Sequence, residues 1–155
     1  MTRRKQSRGK CVFCNREMTK GGLSKHLATC PQRQEAINAA NQKPDRKQQL
    51  FHVQVQDAYS PNFWLHLEIN GSAILEDLDY YLRAIWLECC GHLSQFSVGG
   101  WSGEEISMNR HIAPLFKSGL ELTHIYDFGT SSETLVKIIS ERKGIPLTAY
   151  PIFLM

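Results

Sequence analysis

The sequence lacks the features of several protein classes. No hydrophobic run approaches the ~18 residues of a membrane-spanning helix, and the N-terminus has only a short apolar cluster, so no secretory signal is predicted. With 6 Pro and 11 Gly among 155 residues, the chain is neither collagen-like nor of low complexity. We therefore expect a cytoplasmic protein with no membrane partner, in which the five cysteines are thiols or metal thiolates.

The charges are unevenly distributed along the chain. Residues 1–50 contain 12 Lys and Arg against 3 acidic residues, a balance of +9, whereas residues 51–155 contain 6 against 12, a balance of −6. All three Trp and all five Tyr lie after residue 50. These differences predict a basic head over residues 1–32, a polar linker with a short helix over residues 33–50, and an acidic globular body over residues 51–155. A basic head is typical of proteins that meet an anionic partner, although basic tails also serve solubility alone.

Four residues of the head have the spacing of a zinc finger. They are Cys11, Cys14, His26 and Cys30, in the pattern C-x2-C-x11-H-x3-C. A two-residue gap lets both thiolates of a tight turn reach one ion, and a three-residue gap places the second pair on one face of a helix, which Pro31 is expected to end. We predict a Zn²⁺ site of the CCHC type in a ββα-like head, with most of the folding free energy supplied by the metal. Another metal or a redox-active set of thiols is the alternative.

Basic residues surround the predicted metal site. They are Arg3, Arg4, Lys5, Arg8, Lys10, Lys20 and Lys25. In the usual reading frame of a finger, the base-reading positions fall at Thr19, Gly22 and Lys25, so little sequence-specific readout of DNA is expected. We predict contacts to the phosphates of DNA or RNA instead. The alternative is a zinc-stabilised module that binds a protein partner or packs on its own acidic body.

The patterns of the body predict an α+β fold. Residues 51–56 and 64–69 alternate apolar and polar side chains, as half-buried strands do. A helix with one apolar face is predicted from Ile74 to Cys89. Further strands are expected over residues 93–98, 120–128 and 134–140. Together they predict a mainly antiparallel sheet packed on one long helix, and the apolar tail over residues 144–155 is expected to complete an edge.

No catalytic motif accompanies the titratable residues of the body. The sequence has no nucleophile elbow, no phosphate-binding glycine loop and no HExxH motif, so we predict no catalytic residue. The candidate site residues of the body are His92, His124, Tyr126 and Asp127. A pair of His124 and Asp127 could orient an imidazole as a general base. An Asp before Phe128 and Gly129 is, however, more typical of a residue that caps a turn.

Four segments of the body resemble the plasmid pRiA4b ORF-3-like family. They are the strand pair with Pro61 and Trp64, residues 74–78, residues 92–96 and the Tyr-Asp-Phe-Gly segment at residues 126–129. The resemblance covers residues 51–140 and implies an α+β fold, and the family has no firmly established activity to carry over. The chain differs from the usual family pattern at polar positions, where it has Leu65, His66, Ser94, Gln95, Thr130, Ser132 and Thr134.

Overall fold

The N-terminal part of the protein is a small sheet followed by two helices. The computed structural model describes residues 4–86, 88 and 91–155. Its first elements are β1 (Arg8–Lys10), β2 (Glu17–Thr19), α1 (Lys20–Thr29) and α2 (Pro31–Asn41). β1 and β2 pair antiparallel, and the Thr19 side chain caps α1 by accepting a hydrogen bond from the Gly22 N–H. The ββα-like head is therefore confirmed.

A seven-stranded sheet forms the body. Its strands are β3 (Gln48–Asp57), β4 (Trp64–Asn70), β5 (Ser94–Ser97), β6 (Glu105–Ile106), β7 (Glu121–Tyr126), β8 (Ser132–Gly144) and β9 (Ile152–Leu154). The spatial order is β6-β5-β7-β8-β3-β4-β9, and the neighbouring strands are antiparallel. The edge segment predicted in the apolar tail is confirmed as β9, which pairs with β4.

One face of this sheet carries the main hydrophobic core. α3 (Leu75–Ile85) and the short α4 (Ile112–Leu115) pack on it. Their buried side chains include Leu75, Leu78, Leu82 and Ile112. The α+β class, with a mainly antiparallel sheet and one longer helix, is therefore confirmed. The prediction that this helix extends to Cys89 was wrong, because α3 ends at Ile85 and Trp86 caps it; Cys89 itself lies outside the described residues. In the part of the chain that the structure describes, no helix is long and apolar enough to cross a membrane.

The opposite face of β3 and β4 is covered as well. The alternation of β3 predicted a half-buried strand, yet His52 is 3% exposed and His66 of β4 is 1% exposed. The head and α2 lie over this face, because His66 contacts the backbone of α1 and Glu68 of β4 contacts Arg33 of α2. A period of two cannot distinguish a polar face in water from one that meets another segment, so the prediction was wrong here.

The predicted linker contains an ordered helix. α2 begins at Pro31, whose missing N–H suits the first helical position. Only Cys30 separates this second helix from the end of α1. Ile37 and Ala40 of α2 are buried. The Asn41 side-chain oxygen accepts a hydrogen bond from the Ile145 N–H at 2.9 Å. The short helix expected in this stretch is confirmed, and it packs against the body.

Candidate metal centre and the surfaces around it

The four predicted ligands come from adjacent parts of the head. Cys11 and Cys14 lie in the turn between β1 and β2, where the Asn15 N–H donates to the Cys11 carbonyl at 2.8 Å. Asn15 has a left-handed backbone with φ of 61°, a conformation that asparagine adopts more readily than most residues. His26 lies in the last turn of α1, and Cys30 follows that helix directly.

The ligand atoms of these residues converge on one point. One ligand atom from each of the four lies within 4.8 Å of every other. Cys11 Sγ is 4.0 Å from Cys30 Sγ, and Cys14 Sγ is 3.2 Å from His26 Nε2. Cys11 and Cys30 are buried, whereas Cys14 and His26 are half-buried. Three sulfurs and one imidazole nitrogen at these separations can hold a metal ion.

The two cysteines of the turn differ in acidity. Burial raises the pKa of the Cys11 thiol above its ordinary value, whereas the backbone N–H of Arg16 lowers the pKa of the Cys14 thiol. Because a metal binds the thiolate, ion binding must displace the proton that burial holds on Cys11. The charge of the metal favours that displacement.

Cys30 is not inside the helix that carries His26, contrary to the prediction from their spacing. α1 ends at Thr29, and Cys30 has an extended backbone at the junction of α1 and α2. The Cys30 carbonyl accepts a hydrogen bond from the Gln34 N–H at 3.0 Å, which closes the first turn of α2. The ligand set is unchanged, because the last turn of α1 and this junction are adjacent in space.

Side chains of the body complete the core of the head. Leu23 and Leu27 of α1 are fully buried in one cluster with Cys11 and Cys30. Three residues of the body belong to or pack against the same cluster, namely Trp64, Phe153 and Met155. About thirty residues cannot bury such leucines alone, so the head depends on the surface of the body.

The segment before β1 runs along the turn between β3 and β4. Trp64 Nε1–H donates to Ser7 Oγ at 2.7 Å, and the Ser7 hydroxyl donates to the Asn62 carbonyl at 2.7 Å. Gly9 lies against the Trp64 ring, where a Cβ would come within 2.7 Å of Cη2. Glycine at this position therefore permits the close approach of β1, which follows the segment, to the body.

Two buried histidines lie beneath the head. His52 Nε2 is 2.8 Å from His66 Nδ1, and His66 Nε2 is 3.2 Å from the Lys20 carbonyl oxygen. Because a carbonyl only accepts, we infer that His66 carries its proton on Nε2 and accepts from His52 through Nδ1. Burial lowers the pKa of His52 to about 3 and the pKa of His66 to about 4. Both are therefore neutral at pH 7. Through His66 of β4 and His52 of β3, they connect the start of α1 to both strands.

A buried carboxylate joins three elements near these histidines. Glu68 of β4 accepts a hydrogen bond from Arg33 of α2 at 3.0 Å, and two from Arg142 of β8 at 2.7 and 3.0 Å. Sequence reasoning missed this group and the histidine pair. The available signal was the polar face of β4, and that pattern is equally typical of a strand face in water.

Three of the predicted nucleic-acid contacts lie together. Arg4, Lys5 and Lys20 line a cleft of about 670 Å³ between the head and the turn that joins β3 to β4. The Lys20 ammonium donates to the Gln56 side-chain oxygen. Arg3 lies outside the described residues.

The other predicted contacts lie away from this cleft. Arg8 donates to the Glu17 carbonyl at 2.9 Å, and Lys10 Nζ is 3.9 Å from the Glu17 carboxylate. Lys25 is exposed on α1. The basic residues of the head therefore lie on more than one surface.

The candidate histidine of the body has a different partner from the predicted one. His124 Nε2–H donates to Asp79 Oδ1 at 2.7 Å, the Ser94 hydroxyl donates to the same oxygen at 2.7 Å, and Arg83 Nε is 3.1 Å from Asp79 Oδ2. Burial acts to raise the pKa of Asp79, but the hydrogen bonds from His124 and Ser94 outweigh it, and the pKa is lowered. The alternative in which His124 pairs with Asp127 was therefore wrong, and the actual pair joins β7 to α3.

The remaining candidate residues of the body stabilise a turn. Asp127 Oδ1 accepts a hydrogen bond from the Gly129 N–H at 3.1 Å, which confirms its predicted role as a turn cap. Asp127 Oδ2 lies 3.7 Å from His92 Nε2. The Tyr126 ring centre is 5.8 Å from the His92 ring and 4.8 Å from the Arg83 guanidinium carbon. These contacts hold the end of β7 against α3.

Comparison with known proteins adds information on the fold. No family model and no curated protein matches the sequence. Among solved structures, the chain is similar to MM3350 from Methanosarcina mazei Go1, a protein of unknown function, at 17% identity and a TM-score of 0.56. The match covers 67% of this chain and 66% of that one, so the chain spans just under two thirds of the structure it matches. The similarity concerns the fold alone.

Proposed function

We propose that the head holds a structural zinc ion and that its basic residues associate with nucleic acid through phosphate contacts. The convergence of the four ligand atoms is the observation that supports a zinc site. Tetrahedral zinc with Zn–S bonds of about 2.3 Å separates two sulfurs by roughly 3.8 Å, close to the 4.0 Å between Cys11 Sγ and Cys30 Sγ. Four protein ligands leave no position for water or substrate, as is typical of structural zinc sites.

The charge of residues 1–50, which include the head, supports the proposed contacts with nucleic acid. Residues 1–50 have a balance of +9, opposite to the balance of −6 in residues 51–155. Among the ion pairs of the described residues, none involves Arg4, Lys5, Lys20 or Lys25. Cations without a carboxylate partner release counterions when they meet phosphates, which is the main source of affinity for nucleic acids.

We assign the acidic body an interaction or regulatory role. Its membership in the pRiA4b ORF-3-like family is part of this proposal. The Tyr-Asp-Phe-Gly segment at residues 126–129 supports the family membership, because this segment carries part of the resemblance and forms the turn after β7. The contacts of Asp79 and Asp127 support a structural rather than a catalytic role for the polar residues nearby.

A second candidate function is a zinc-stabilised protein-interaction module with no nucleic-acid role. The packing of Leu23 and Leu27 beside Trp64 and Met155 favours it, because one face of the head already meets protein. In this alternative, the opposite charges attract the head and the body to each other and do not bind nucleic acid.

Salt-dependent fluorescence anisotropy separates these two functions. We expect the zinc-loaded chain to bind labelled single-stranded DNA or RNA, with roughly 20-fold lower affinity at 200 mM than at 50 mM salt if it makes three phosphate contacts. The double variant Arg4→Glu, Lys5→Glu should lose most of this binding. The matched control is Lys117→Glu, Lys137→Glu, at two exposed positions of the body.

Two results would contradict the proposal separately. Absence of salt-sensitive binding to single-stranded DNA, RNA and duplex DNA would remove the nucleic-acid part and favour the interaction module. The zinc part is checked by elemental analysis, with one zinc per chain expected and a loss in the variant Cys11→Ser. A chain purified with another metal, or with none after zinc loading, would remove that part.

A further inference from the structure

The cleft beside the head is formed by three separate segments. Residues 4–7, 19–21 and 59–64 line it, and its volume of about 670 Å³ is within the range of ligand-binding clefts. The hydrogen bond from the Ser7 hydroxyl to the Asn62 carbonyl holds the first segment beside the third. The cleft therefore depends on the packing of the head against the body.

The cleft is basic. Arg4, Lys5 and Lys20 line it, and none of the described residues in its lining is acidic. The ten-residue helix α1 also begins here, at Lys20, so the positive end of its dipole lies at the cleft. Both features favour an anionic ligand.

Two exposed aromatic side chains lie at the same cleft. Tyr59 is 73% exposed and Phe63 is 62% exposed. Asp57 fixes their turn by accepting hydrogen bonds from the Tyr59 and Ser60 N–H groups at 2.9 and 2.7 Å. The Tyr59 hydroxyl donates to Glu133, which orients the ring. Fixed, exposed rings beside cations are typical of surfaces on which nucleic-acid bases stack.

The first turn of α1 is poorly suited to reading duplex DNA. The Thr19 side chain accepts the Gly22 N–H at 3.2 Å, and Gly22 has no side chain of its own. The Lys20 carbonyl is held by His66 of β4, so this turn lies against the body instead of being free to enter a major groove. A duplex also presents no free base faces to Tyr59 and Phe63, whereas a single strand does.

We propose that this cleft binds single-stranded nucleic acid, with bases stacked on Tyr59 and Phe63 and phosphates near Arg4, Lys5 and Lys20. The inference rests on the proposed function and specifies the form of nucleic acid and the residues that bind it. Neither aromatic residue was a candidate from the sequence. DNA and RNA share the chemistry that these side chains recognise, so separate probes distinguish the two.

Aromatic substitutions in the full-length, zinc-loaded chain test this inference. The probes are fluorescein-labelled oligo(dT) and oligo(U) of about 15 nucleotides and a duplex of the same length. We expect Tyr59→Leu and Phe63→Leu each to weaken single-strand binding about tenfold, with little change for the duplex. Tyr59→Phe keeps the ring but loses the hydrogen bond to Glu133 that orients it, so its loss of affinity should be smaller than that of Tyr59→Leu. Tyr150→Leu is the matched control, since Tyr150 is 76% exposed and lies outside the cleft.

The possible outcomes distinguish failure of the proposed single-strand site from failure of the proposed function. Loss of single-strand affinity in the Tyr59 and Phe63 variants, with zinc content retained and Tyr150→Leu unaffected, supports the cleft. Unchanged affinity in both aromatic variants, together with loss in Arg4→Glu, Lys5→Glu, would overturn the cleft and leave phosphate binding by the head intact. Tighter binding of the duplex than of either single strand would also overturn it. Absence of binding to all probes would overturn the proposed function itself.

Discussion

The head and the body of this protein reach an ordered structure by different means. The body buries large side chains between its sheet and α3, among them Phe51, Leu78 and Phe96. The head buries only two leucines of its own, Leu23 and Leu27, beside the metal ligands and side chains of the body. We therefore expect the body to be stable without a metal, whereas the head needs both a metal ion and the surface of the body.

Metal removal is expected to show the largest difference between the two regions. Chelation, or the double variant Cys11→Ser, Cys30→Ser, removes metal-binding energy that is typically about 10–16 kcal/mol for such sites. The amides of residues 8–30 should then lose protection from hydrogen exchange, whereas those of β7 and β8 should keep it. Hydrogen–deuterium exchange with mass spectrometry checks both regions in one experiment.

The control for metal removal is Thr29→Ala, an exposed change next to a ligand. It should leave the metal content and the protection of α1 unchanged. Protection of α1 that persists in the metal-free chain would show that the body alone holds the head. Loss of protection in β7 and β8 would show that the two regions unfold together.

The second prediction concerns the ion group that joins α2 to the sheet. Glu68→Gln leaves the Arg33 and Arg142 side chains, 11% and 18% exposed, without a full counter-charge. We expect a loss of about 3–5 kcal/mol in the free energy of unfolding, as for other buried ion pairs that lose one partner. Urea unfolding measures it. Glu141→Gln, at an exposed neighbouring position, should change the value by less than about 0.5 kcal/mol, and an equal loss in both variants would contradict the role of Glu68.

The third prediction concerns acid, and its effect is the smallest of the three when the pH is lowered only to 5.5. The pKa values of His52 and His66 are about 3 and about 4 in the folded protein, against about 6.5 in an unfolded chain. Between pH 6.5 and pH 4 the unfolded chain binds more protons, so the free energy of unfolding should decrease as the pH falls. The slope approaches about 1.4 kcal/mol per pH unit for each histidine.

Urea unfolding at pH 7.5, 6.5 and 5.5, with zinc in excess, measures this slope. The variant His66→Gln removes one of the two titrating groups and should show a shallower slope than the unmodified chain. The slopes of the variant and the unmodified chain must be compared, because protonation of the metal ligands also lowers the free energy of unfolding in acid. Equal slopes would contradict the lowered pKa of His66.

The elements and the metal ligands were predictable because they depend on residues that are close in sequence. The alternation in β3 and the apolar stripe of α3 each repeat within a few residues, and the cysteine spacing places one pair in a single turn. The partner of His124 was not predictable in this way. Asp79 is 45 residues away, and nothing local distinguished it from Asp127, which is nearer in sequence but caps a turn.

The sequence by itself determined the four candidate metal ligands, the ββα-like head and the α+β class of the body. Only the tertiary structure decided that the head lies over the polar face of β3 and β4, where it buries His52, His66 and Glu68. It also decided that Tyr59 and Phe63 meet the basic residues of the head at one cleft. The physical reason is that the period of the side chains shows which residues share a face of a helix or strand. Which segment covers that face depends on burial and hydrogen bonding between distant parts of the chain.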